Sequence, residues 1–178
     1  MRMLNRRVVL LMGLALLMYA NVVWAQPPLD DPATCSISVT VNTIMEWAGD
    51  FADIDLADIT SASDAPEGSQ TQTLYTNCNL EITADNTATA RLSSATDMLV
   101  TKYKLSYDGN GVLATGGTDV GTWTDYSTFL SPASAVTHVA ADGAADVTLY
   151  VQATTGSMVR DKGDYSATQT LTASWTSD

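Results

Sequence analysis

The clearest pattern in the sequence is a strict two-residue alternation in residues 163–175. Tyr165, Leu171 and Trp175 fall on one side of it, and the positions between them on the other side are all Ser or Thr. Successive side chains of a strand point to opposite faces of the sheet. The segment therefore predicts a strand near the C-terminal end, with one face for a core and one hydroxylated face for water.

The same alternation recurs in residues 35–41, 101–107 and 146–153, and residues 71–78 and 80–83 carry similar strand-forming residues. We expect residues 35–41 to be the first strand of the domain and the strand at 146–153 to pair with the C-terminal one. Turn signals separate these segments, and none shows an apolar period of 3.6 residues. Such a succession is typical of an all-β sandwich.

The first 25 residues have the features of a secretory signal peptide. Arg2, Arg6 and Arg7 precede an apolar run at residues 8–19, and Ala25 ends a cleavage pattern. The alternative is an uncleaved anchor, but the apolar run is short for a membrane-spanning helix. We predict a secreted chain with no membrane span after cleavage. Its predicted parts are the signal peptide 1–25, an extended Pro-rich leader 26–34 and a single sandwich domain 35–178.

Charge narrows the choice of partners. Removal of the signal peptide leaves five basic residues against 20 acidic ones, a net charge of −15. A surface of this sign repels phosphate backbones and anionic lipid, so we expect no nucleic-acid partner. The acidic residues are spread along the chain, which favours a solvated acidic coat over a specific acidic function.

Cys35 and Cys78 are the two cysteines. In an oxidising compartment an even pair predicts a disulfide bond, which would stabilise the domain by roughly 4 kcal/mol in the chain-entropy model. The alternatives are free thiols or metal ligands, but no second Cys or His lies at ligand spacing.

Enzymatic chemistry has little support in the sequence. His138 is the only histidine, and no Gly-Xaa-Ser-Xaa-Gly motif accompanies any serine. Asp53, Asp55 and Asp58 alternate with Ile54, Leu56 and Ile59, which predicts a short strand with an acidic face. Its carboxylates could hold calcium, but the calcium-loop pattern is absent. A carboxylate pair for hydrolysis stays open, since its geometry cannot be read from sequence. We predict no catalytic residues, no metal site, no cofactor and no enzyme.

Three aromatic residues, Trp123, Tyr126 and Phe129, lie in a loop-rich stretch. They could form an exposed platform for a sugar ring, or they could close one end of the sandwich. The first possibility gives an alternative function, a stand-alone secreted module that binds carbohydrate or protein.

The order of features resembles the spore coat protein U-type secreted domains, which are related to the pilins of archaic chaperone–usher systems. The features that carry the resemblance are a signal peptide, an early alternating segment with Cys35, Leu-Tyr-Thr-Asn-Cys at 74–78, Lys-Tyr-Lys-Leu-Ser-Tyr at 102–107, Val-Thr-Leu-Tyr-Val at 147–151 and the closing stretch 162–175. The last two segments are the most specific of these.

The resemblance implies an immunoglobulin-like antiparallel sandwich that lacks one strand. In that family a periplasmic chaperone lends a strand, an outer-membrane usher exports the subunit, and a neighbouring fibre subunit then supplies the strand. By this resemblance the acceptor groove is lined or bordered by Val147, Leu149, Val151, Tyr165, Leu171 and Trp175. The expected function is that of a structural subunit of a surface fibre (a pilus or fimbrium) or coat, in cell adhesion and biofilm, located at the cell surface after transit through the periplasm.

Overall fold

A computed structural model describes residues 33–178 of the chain. The chain divides into two compact units, residues 1–40 and residues 41–178, and all the strands belong to the second. The predicted signal peptide and most of the leader lie outside the described residues. In the first unit, residues 33–40 have no regular secondary structure and their side chains are exposed.

The first sheet has five antiparallel strands. In spatial order they are β1 (Met45–Trp47), β2 (Glu67–Thr76), β8 (Ala144–Thr154), β4 (Val100–Tyr107) and β6 (Val120–Asp125). The long strands β2, β8 and β4 form its centre. Their alternating residues bury one face of the sheet and leave the other face to solvent. The short strands β1 and β6 form its two edges.

The second sheet has four antiparallel strands. In spatial order they are β5 (Gly116–Gly117), β7 (Ser134–Thr137), β3 (Asn79–Ala84) and β9 (Leu171–Ser177). A short 3₁₀ helix, Ala88–Ala90, follows β3. Strand β9 is therefore an edge strand that pairs with β3 alone.

The hydrophobic core lies between the two sheets. Its buried members are Leu74, Leu80, Ile82, Ala90, Tyr103, Leu105, Tyr107, Phe129, Leu130, Val136, Val147, Leu149 and Val151. Most of them come from the inward-facing positions of strands in both sheets, and Ala90, Phe129 and Leu130 come from the segments between strands, so one core joins the sheets into a sandwich. The sequence-based prediction of an all-β antiparallel sandwich is confirmed.

The predicted first strand, residues 35–41, is wrong. The structure gives these residues no strand pairing, and the side chains of Ile37 and Val39 are 92% and 88% exposed. Alternation predicts which side chains share a face, but it does not supply a neighbouring strand with free hydrogen-bonding groups. The first strand in the described chain is β1.

The C-terminal alternation is only partly a strand. Residues 165–170 run beside the loop after β3, where Ser166 and Ser93 exchange two backbone hydrogen bonds, and β9 begins at Leu171. Strand β9 pairs with β3, and β8 lies between β2 and β4, so the expected pairing of these two strands is wrong. Both were alternating segments, and alternation cannot distinguish the two sheets.

Candidate functional site: the open edge of the sandwich

One side of the sandwich is bordered by a segment without helix or strand, residues 49–59, here called the strap. The last backbone hydrogen bond between this part of the chain and β2 runs from Ala48 N–H to Thr73 C=O, 2.9 Å. In an antiparallel strand alternate residues direct both backbone groups to the same side. Glu67, Ser69 and Thr71 therefore direct their N–H and C=O groups toward the strap, and no backbone group of the strap pairs with them.

Side-chain amides take the place of this missing ladder. The Nε2 atom of Gln72 donates a hydrogen bond to the Asp50 carbonyl at 2.6 Å, and that of Gln70 donates to the Asp53 carbonyl at 3.3 Å. Both glutamines are inward-facing residues of β2. The strap is thus held at the sheet edge by two amide side chains rather than by strand pairing.

The apolar side chains of the strap pack onto the core. Phe51, Ile54 and Leu56 are half-buried against it, whereas the aspartates of the strap are exposed. The predicted alternation of acidic and apolar residues is therefore present, but the predicted strand is not. A Cβ atom on Gly68 would lie 2.5 Å from Ile54 Cγ2, so a larger residue there would require the strap side chains to shift.

A groove of about 430 Å³ separates the strap from residues 167–171, the stretch that leads into β9. Its apolar floor is formed by Leu149 and Val151 on the inner face of β8, and Leu171 lines its opposite wall. The groove therefore runs between the edge of the first sheet and the edge of the second. We call it the edge groove.

A second cavity of about 880 Å³ continues along the strap toward residues 159–165. Ile54 and Leu56 border both cavities, so the strap forms part of the wall of each. Arg160 lines this second cavity and forms an ion pair with Asp97 at 3.1 Å.

The predicted acceptor residues fall into three groups. Leu149, Val151 and Leu171 line the edge groove, and Tyr165 lines the second cavity. Val147 is fully buried in the core. Trp175 is 55% exposed, lines neither of the two cavities and donates from Nε1 to Asp178.

The three aromatic residues proposed as a platform do not share one surface. Phe129 is fully buried and stacks on Tyr103, with ring centroids 5.4 Å apart. Tyr126 packs against the core. Trp123 lies on β6, where the Lys104 ammonium is 4.1 Å from the centroid of its ring.

Tyr103 is the polar group buried at the back of the edge groove. Its hydroxyl donates to the Ala90 carbonyl at 2.6 Å. Burial, together with the negative charge of Asp85, raises the pKa of Tyr103 to about 12. The hydroxyl is therefore a neutral donor at physiological pH and serves to fix the 3₁₀ helix.

The sequence-based prediction overlooked Gln169, which lies in the wall of the edge groove. Its Nε2 and Oε1 atoms are both buried and neither has a hydrogen-bond partner. The signal was present in the sequence, because Gln169 is the one amide on the otherwise apolar and aromatic side of the C-terminal alternation.

Both cysteines are free thiols in the structure, Cys35 exposed and Cys78 buried. The Cys78 sulfur is 3.3 Å from the Thr76 hydroxyl. The disulfide between them stays a prediction.

Other chemistry is sparse in residues 33–178. They contain no group of three or more Asp, Glu, His or Cys residues that could hold a metal ion, and no helix long and apolar enough to cross a membrane. His138 follows β7, and its Nδ1 atom lies 3.4 Å from the Thr115 hydroxyl. Comparison with protein-family models, curated proteins and solved structures found no match to this chain.

Proposed function

We propose that this chain is a secreted structural subunit that assembles by strand addition, in which one copy inserts an N-terminal segment into the edge groove of the next. The observation that carries the proposal is the state of residues 35–41. They keep a strict apolar alternation, yet the side chains of Ile37 and Val39 are almost fully exposed and no strand of the described chain pairs with them.

Exposed alternating segments are costly in a secreted protein. Burying a Val or Ile side chain stabilises a complex by about 1.5–3 kcal/mol, and a strand with a bare edge attracts any compatible strand. The edge groove offers an apolar floor at Leu149 and Val151. The unpaired backbone groups of β2 face the strap and do not line the groove. Strand addition would bury the apolar side chains of residues 35–41 and at the same time cover the apolar floor of the edge groove.

This mode of assembly agrees with the family that the sequence resembles. An immunoglobulin-like sandwich completed by a strand from another chain, a periplasmic chaperone, an outer-membrane usher and neighbouring fibre subunits would then be its partners. Attachment and biofilm formation at the cell surface would be the function of the fibre. These assignments rest on the resemblance together with the open edge.

The test compares two pairs of substitutions on opposite sides of the alternation. Ile37→Asp with Val39→Asp places two charges on the apolar side, and Ser38→Asp with Thr40→Asp places the same charges on the polar side. All four residues are exposed, so neither variant disturbs the core. Sedimentation velocity of the exported chain should show concentration-dependent oligomers for the wild type and the polar-side variant. The apolar-side variant should stay monomeric.

Equal oligomers in both variants, or a wild-type chain that is monomeric at every concentration, would refute assembly through this segment. A synthetic peptide of residues 33–44 provides the second measurement. It should inhibit assembly and raise the melting temperature of the chain by ligand linkage.

A second function is favoured by one observation on the outer face of the first sheet. Lys104 lies between two aromatic rings there, 4.1 Å from the Trp123 centroid and 5.2 Å from the Tyr150 centroid. Aromatic rings beside polar groups suit glycan binding, which would make the chain a stand-alone binding module. Glycan-array binding that is lost in Trp123→Ala, by a chain that remains monomeric, would favour this function over assembly.

A further inference from the structure

Gln169 holds an unmatched carboxamide at the position where the proposed inserted strand would pass. Leu171, Leu149 and Val151 line the same groove, and both polar atoms of the Gln169 amide are buried without a hydrogen-bond partner. A buried polar group without a partner destabilises a protein, because the hydrogen bonds it made to water are lost on folding. An apolar residue would suit the free chain better at this position.

Two other amide side chains of this sandwich make the hydrogen bonds to main-chain groups that Gln169 lacks. The carboxamide of Asn77 donates to the Asn42 carbonyl at 2.9 Å and accepts from the Ile44 N–H at 2.7 Å. It thereby holds a length of main chain that belongs to no strand. Gln72 likewise uses both its amide atoms on main-chain groups, those of Asp50 and Thr73.

The geometry points to Gln169 as the residue that fixes the register of an inserted strand, by pairing its carboxamide with one N–H and one C=O group of residues 35–41 from a second copy. This inference rests on the proposed function and adds a specificity-determining contact to it. The donor and acceptor of a carboxamide match the two groups of a peptide backbone. In the free chain both amide atoms of Gln169 are buried without a hydrogen-bond partner, so the side chain would have to turn toward the groove for the inserted segment to pair with both.

Register matters because the apolar alternation has a period of two. A slip of one residue would turn Ile37 and Val39 away from the groove floor and bury Ser38 and Thr40 instead. The apolar groove wall alone disfavours the slip only through burial. Hydrogen bonds between the Gln169 carboxamide and the inserted backbone form at one place along the groove, and they therefore add a second constraint on the register.

The experiment measures binding of a labelled peptide of residues 33–44, with Cys35→Ser in the peptide to prevent thiol chemistry, to the exported chain and to its Gln169→Leu variant. A second peptide has Ile37 exchanged with Ser38, and Val39 with Thr40, so that its apolar side is shifted by one residue. Gln152→Leu is the matched control, because this amide lies on β8 and pairs with Glu67 at 2.7 Å.

We expect Gln169→Leu to raise the melting temperature of the free chain, because it removes the unsatisfied amide. The same substitution should weaken binding of the native peptide about tenfold, which corresponds to about 1.4 kcal/mol. It should also reduce the preference for the native peptide over the shifted one. Gln152→Leu should leave peptide affinity and preference unchanged. A purely structural role would not raise stability while lowering affinity.

The outcomes separate this inference from the proposed function. Equal binding and equal preference in wild type and Gln169→Leu would overturn the role of Gln169 and leave strand addition standing. A lower melting temperature for Gln169→Leu, repeated with Gln169→Met, would show that the amide is already paired in the free chain and would also overturn it. No binding of either peptide to the wild type would overturn strand addition itself.

Discussion

The close approach of β2 and the strap at Gly68 gives a prediction whose size can be worked from the structure. In Gly68→Ala the new Cβ atom would lie 2.5 Å from Ile54 Cγ2 and 2.9 Å from Leu56 Cδ2. Both distances are far below van der Waals contact, so the side chains of Ile54 and Leu56 must shift, and the strap that carries them must repack. Phe51 lies on the same segment and would move with it.

Two terms determine the magnitude. Overpacking of this kind destabilises a folded protein by about 1–3 kcal/mol. Replacing glycine by alanine also restricts the unfolded chain, which stabilises the fold by about 0.4–1 kcal/mol. The net expectation is a loss of about 1–2 kcal/mol in the free energy of unfolding. Urea denaturation of the chain, followed by tryptophan fluorescence, measures it.

Gly121 provides the control, because it lies in β6 and a Cβ atom there would meet nothing within 4 Å. Gly121→Ala should be neutral or slightly stabilising, whereas Gly68→Ala should be destabilising. If Gly68→Ala were as stable as Gly121→Ala, the strap would not be packed on β2 as described, and the geometry of the edge groove would have to be revised.

Three further predictions concern buried or paired polar groups. Tyr103→Phe leaves the Ala90 carbonyl without its donor and should lower the free energy of unfolding by about 1–2 kcal/mol in urea denaturation; an unchanged stability would contradict this. Burial raises the pKa of Tyr103 and that of Tyr107 to about 12, above the value of about 10 in the unfolded chain. The contribution of these two tyrosines to stability should therefore be fully present below about pH 10 and fall between about pH 10 and pH 12 in alkaline melts, and a flat profile over that range would refute it. The backbone N–H groups of Asp161 and Met98, with a smaller effect of Arg160, lower the pKa of Asp97. The contribution of Asp97 to stability should therefore be lost as pH falls through that lowered pKa. Asp97→Asn should remove this part of the acid dependence, and an unaltered acid melt would argue against it.

The sequence predicted the centre of the first sheet well and its edges poorly. Residues 101–107 and 146–153 correspond to β4 and β8 within a few residues, because a strand with neighbours on both sides must alternate between core and solvent. Residues 35–41 alternate equally well and are not a strand in the structure. Strand pairing depends on free backbone groups elsewhere in the chain, and the local alternation of apolar and polar residues does not reveal where those groups are.

The candidate site was predicted in part for the same reason. Leu149, Val151 and Leu171 were found, because their inward faces follow directly from alternation. Trp175 was placed on the same face but lies near the free end of an edge strand, where little covers it. Phe129 was considered for an exposed platform because its surroundings are loop-like in sequence, yet it fills the core between Tyr103 and its neighbours.

The exposed aspartates of the strap have a consequence for solubility. Asp50, Asp53, Asp55 and Asp58 all point to solvent along the one edge where β2 has unsatisfied backbone groups. Two copies that approached edge to edge would bring these like charges together, and charged edges protect natural sheets from indiscriminate aggregation in this way. The acidic strap therefore disfavours association with an identical edge, whereas residues 35–41 contain no acidic residue and would not be repelled in this way.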